Sequence, residues 1–105
     1  MKKNEDVKLL RAAIKKSPKR QLTYEENLLL REEICNNPNE YFTTNEVAKV
    51  LGVDPETVRR WARLKKIPYS IVTTHIVYLI QGATIAKLLP RYPIFDDFTS
   101  YKVFN

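Results

Sequence analysis

Glycine is nearly missing from this chain: there are two in 105 residues, alongside one cysteine, one histidine, one tryptophan and one methionine. No glycine-rich phosphate loop is discernible, and neither is a nucleophile–base pair or a carboxylate dyad. An enzyme is therefore not expected, and no cofactor is implied. Cys35 has no second cysteine to pair with, which suits a reducing cytosol. It falls on the apolar side of a predicted helix, so it reads as a core residue rather than a reactive thiol. His75 lacks the Cys, His or clustered carboxylate partners that a metal site needs. Residues 67–86 hold no Lys, Arg, Asp or Glu, a run long enough to raise the question of a membrane span. Pro68, His75, Gln81, Gly82 and several threonines interrupt it, so a span is rejected. The charged N-terminus has no apolar core of a signal peptide, and a cytoplasmic protein is expected.

What the chain does have is positive charge: 18 Lys and Arg against 12 Asp and Glu, a net +6. That balance suits a polyanionic partner, although it also serves solubility. The length fits one small domain with extensions. In residues 1–16, Val7, Leu10 and Ile14 recur at helical spacing opposite Lys8, Arg11, Lys15 and Lys16. Ser17-Pro18 ends this helix. It pads the core or serves as a dimerisation or partner helix. Thr23 with Glu26 is a capping box opening a second helix through about Ile34 or Cys35, with an apolar stripe of Leu28, Leu29, Leu30 and Ile34. Asn36-Asn37-Pro38 turns the chain back.

Residues 43–68 read as two short helices joined by a tight turn. Thr43 and Glu46 form another capping box. Ala48 is small enough to let the second helix approach, Gly52 supplies a turn residue at positive φ, and Val58 seats the second helix. Asp54 and Pro55 start that helix. Thr57–Lys66 carries Arg59, Arg60, Arg63, Lys65 and Lys66 with no acidic residue. Arginine takes a phosphate or reads guanine bidentately. Thr57 and Arg60 point outward on this reading, and Thr43, Thr44 and Asn45 set the first helix's N-terminus on a backbone phosphate. Trp61 is the core anchor of the second helix rather than a stacking residue. Glu56 favours the helix dipole and would repel phosphate if it faced DNA.

This stretch resembles the winged helix-turn-helix of excisionases and MerR-like proteins. The likeness is carried by Thr44, Glu46–Ala48, Leu51–Val53, Thr57–Trp61 and Lys66–Pro68, about a quarter of the chain. Lys65 stands where that group often has glycine. The resemblance implies a mainly α fold, a winged helix-turn-helix with a small two-stranded β wing and a helical N-terminal extension. The corresponding units are 1–42, 43–90 and 91–105. Ser70–Thr74 and His75–Ile80 form the expected wing around Thr73-Thr74, followed by a short helix from about Ala83 to Leu89.

The wing departs from its relatives by lacking Arg and Lys. It offers self-association, or, with Tyr69 and Tyr78, a platform for unstacked bases. The tail places Tyr92, Phe95, Phe98, Tyr101 and Phe104 every third residue around Asp96 and Asp97. These aromatics wrap the domain or dock a partner such as a replication protein, as the acidic-aromatic tails of bacterial single-strand-binding proteins do. In overall character the chain is similar to the winged-helix single-stranded-DNA-binding proteins of staphylococcal cassette chromosome mobile elements. The expected function is thus DNA binding through Thr43, Thr44, Asn45, Thr57, Arg59, Arg60, Arg63, Lys65, Lys66 and Tyr69. The wing tilts it to single strands, as a replication accessory of a mobile element. The alternatives are a sequence-specific duplex-binding excisionase or small regulator, and a protein-interaction module.

Overall fold

In the computed structural model, residues 2–72 and 77–94 are described. They form five α-helices and a three-stranded sheet: α1 (Lys2–Lys16), α2 (Tyr24–Asn36), β1 (Tyr41–Thr43), α3 (Thr44–Leu51), α4 (Pro55–Arg63), β2 (Ser70–Val72), β3 (Val77–Gln81) and α5 (Gly82–Leu88), with a 3₁₀ turn at Leu89–Arg91. The arrangement is that of a winged helix-turn-helix, as the sequence implied.

The sheet has one more strand than expected. Its order is β1-β3-β2, antiparallel throughout, with Phe42 opposite Ile80 and Ile71 opposite Tyr78. Tyr41–Thr43 is too short to show a period-2 pattern, and it runs directly into the cap of α3. Yet Phe42 is fully buried, so burial of one large ring holds the strand. The expected boundary at residue 42 falls inside this strand. The wing strands lie close to where the β-branched clusters put them. Thr73, Thr74 and His75 lie outside the described residues.

The core draws on every helix. Leu10 and Ile14 of α1, Leu30 and Ile34 of α2, Val47 and Val50 of α3, Val58 of α4 and Ile85 of α5 close around Phe42 and Ile80. The N-terminal extension is thus packed on the winged unit through the faces its periodicity marked. Cys35 is not part of this core: it is exposed. Helical rotation explains the correction, because Leu30 and Ile34 take the inward positions and the next residue turns about 100° away. Leu28 is likewise exposed, so the buried stripe of α2 is narrower than the apolar one.

Gly82 is required for close approach. Its N–H donates to the Glu40 carbonyl at 2.8 Å, and a Cβ there would meet the Asn37 carbonyl oxygen at 2.5 Å. Gly52 fills the positive-φ position expected of it, at φ 72°, ending α3 with its N–H on the Ala48 carbonyl. Lys65 also has positive φ, 58°, just after α4. This is the position where the related motif favours glycine, and the left-handed conformation is the physical reason.

Candidate nucleic-acid interface

The start of α3 is built from a reciprocal cap. Thr43 Oγ1 accepts from the Glu46 N–H at 3.2 Å, and Glu46 Oε1 accepts from the Thr43 N–H at 2.8 Å. Glu46 is 4 % exposed and would be costly to bury alone. Arg11 of α1 compensates it, donating from Nε to Glu46 Oε2 at 2.6 Å, and also bonds Glu40 and the Tyr41 carbonyl. The guanidinium lies over the Phe42 ring, 4.6 Å from its centre. Burial works against the charge on Arg11, but the bonds and charges of Glu46 and Glu40 outweigh it and raise its pKa.

That construction changes the expected phosphate contact. The hydroxyl and N–H of Thr43 are engaged in the cap, and Thr44 is buried at 7 % exposure. Asn45 is half-buried and lines both grooves beside α4, whereas Thr43 and Thr44 line one of them.

In α4, Asp54 Oδ1 accepts from the Glu56 N–H at 2.8 Å and Pro55 takes the first turn. Val58 and Ala62 are buried, and Trp61 is half-buried with its ring 6.2 Å from that of Tyr92. Trp61 thus anchors the helix as expected. Thr57 is half-buried rather than fully outward, one step round from Val58. The outward stripe is Glu56, Arg59, Arg60 and Arg63. Here the sequence reading was incomplete, for Glu56 belongs to the same face as the arginines. Its carboxylate accepts from Arg59 at 3.0 Å and pairs with Arg63 at 2.9 Å. The bonds from Arg59 and Arg63, in that order, lower the pKa of Glu56. The i, i+3, i+7 spacing was the available signal.

Arg60 is exposed, and its guanidinium has no ion pair or hydrogen bond among the described residues. Lys65 and Lys66 are exposed immediately beyond α4. Tyr69 and Tyr78 are half-buried and packed edge-to-face, centres 5.1 Å apart and planes at 84°. Of the tail, Tyr92 packs on Trp61 and its carbonyl accepts from Arg31. Phe95, Asp96, Asp97, Phe98, Tyr101 and Phe104 lie outside the described residues. Among the described residues no cluster of His, Cys, Asp or Glu could hold a metal ion, and no helix is long and apolar enough to cross a membrane.

No curated protein and no solved structure matches the chain. Residues 41–89 match the model of a helix-turn-helix domain family. The matched stretch opens on β1 and takes in α3, α4, both wing strands and α5, and it supports the likeness to the excisionase-like winged helix-turn-helix group. The chain therefore carries a DNA-binding helix-turn-helix domain over this stretch.

Proposed function

We propose that the protein binds duplex DNA in a sequence-dependent way, laying α4 in the major groove, as a non-enzymatic cytoplasmic excisionase or small transcriptional regulator. The observation that carries this reading is the outward stripe of α4. Glu56, Arg60 and Arg63 are exposed and share one face with the half-buried Arg59, while Val58, Trp61 and Ala62 hold the opposite face to the core. A major groove about 12 Å wide admits such a helix, and its base edges offer guanine acceptors to arginine and the cytosine amino group to a carboxylate. On this reading Lys65, Lys66 and Asn45 contact phosphates flanking the groove.

The single-strand reading keeps two supporting features, a wing without Arg or Lys and the row of Lys65, Lys66 and Tyr69 leading from α4 into it. A stacking platform needs an open aromatic face. Tyr69 spends part of its ring on Tyr78, and this favours the duplex. Partner docking through the tail and self-association through the wing are further proposals on the same chain. Selection from a random duplex pool tests the main reading. Enrichment of a defined site is the expected result. Recovery of unenriched sequence, with equal or tighter retention of the unpaired strands, would replace it with the single-strand reading.

A further inference from the structure

Two grooves flank α4, and each takes a wall from the N-terminal extension, outside the matched stretch. One, of about 540 Å³, runs between Lys15 on α1, Asn45 on α3, Arg59 on α4 and Tyr78 on β3. The other, of about 610 Å³, runs between Lys19 in the α1–α2 loop, Lys49 on α3 and Arg59. Asn45 and Arg59 line both, so the grooves form one band across the start of α3 and the outward side of α4. Carboxylates lining it are already engaged: Glu46 with Arg11 and the Thr43 N–H, and Asp54 as the cap of α4. Lys15 and Lys19 are exposed and carry no ion pair among the described residues.

Both lysines sit on backbone that is tied down. Arg11 fastens α1 to β1 and α3 one helical turn before Lys15. The Lys49 ammonium donates to the Arg20 carbonyl, next to Lys19, and the Arg20 side chain pairs with Glu26 at 2.7 Å. Gathering unpaired cations beside an arginine-bearing helix is electrostatically unfavourable in the free protein, and a polyanion relieves it.

We propose that Lys15 and Lys19 are part of the DNA interface, each meeting a backbone phosphate beside the segment that α4 reads. The inference rests on the duplex reading above and adds a surface that the helix-turn-helix alone does not contain. Phosphate contacts set position and affinity without carrying sequence information.

The test is duplex binding across a salt series with the full chain, using one selected site and one unrelated duplex. Lys15→Gln plus Lys19→Gln is expected to make the slope of log affinity against log salt shallower by about two, since each phosphate contact contributes about 0.9. Affinity for both duplexes should fall by a similar factor, with base preference and melting temperature unchanged. Lys87→Gln, on α5 and outside both grooves, should leave the slope as it is. Wild-type protein that binds duplex with an unaltered slope in the double variant overturns the inference alone. Wild-type protein that binds no duplex overturns the duplex reading and this inference with it.

Discussion

Among the described residues, two arginine–carboxylate networks of three members stand in different settings. At the start of α3, Arg11 joins Glu46 and Glu40, and the Glu46 side chain is 6 % exposed. On α4, Glu56 joins Arg59 and Arg63, and its side chain is 52 % exposed. In the first network Glu46 has lost its water and needs Arg11, while Arg11 and Glu40 stay partly exposed. The second keeps its water, and its bonds exchange readily for bonds to a phosphate or a base edge. Burial, rather than residue type, separates the network that holds the domain together from the one on the face proposed to meet DNA.

The comparison can be broken from either side. Arg11→Ala should have the largest effect on stability, about 3 kcal/mol, because it leaves the Glu46 carboxylate buried without its cation. Denaturant unfolding measures this, and a loss below about 1 kcal/mol would mean that Glu46 is solvated after all. Truncation after Arg91 removes the Tyr92 ring from Trp61 and the carbonyl that Arg31 bonds. It should cost about 1–3 kcal/mol by the same measurement. Glu56→Gln should leave stability close to wild type, as expected of a pair at the surface. It should nevertheless tighten binding to unrelated duplex by freeing Arg59 and Arg63, and equal affinity would show that Glu56 does not restrain them. Lys65→Gly relieves a positive φ and should add at most about 1 kcal/mol.

Much of this architecture was legible in the sequence, for identifiable reasons. The caps at Thr23 and Thr43, the turn at Gly52 and the burial of Val58 follow local rules, and each is found where those rules put it. What was missed depends on contacts distant in sequence. β1 exists because Phe42 meets Ile80, and a three-residue strand has no pattern of its own. The cap of α3 was legible, but the arrival of Arg11, 35 residues earlier, was not. That contact makes Glu46 a buried structural residue and adds to the packing of Leu10 and Ile14 that holds α1 on the winged unit. Glu56 was read from its place in the first helical turn alone. Its partnership with Arg59 and Arg63 requires knowing that the three share the exposed face.

The most direct test of the central assignment is fluorescence anisotropy with one labelled strand, alone and annealed, across a salt series. It should compare the wild type with Arg60→Ala plus Arg63→Ala. Tighter binding to the annealed strand, weakened in the double variant with a salt slope shallower by up to about two, is the expected result. An unchanged slope would remove α4 from the interface, and tighter binding to the lone strand would contradict the duplex reading.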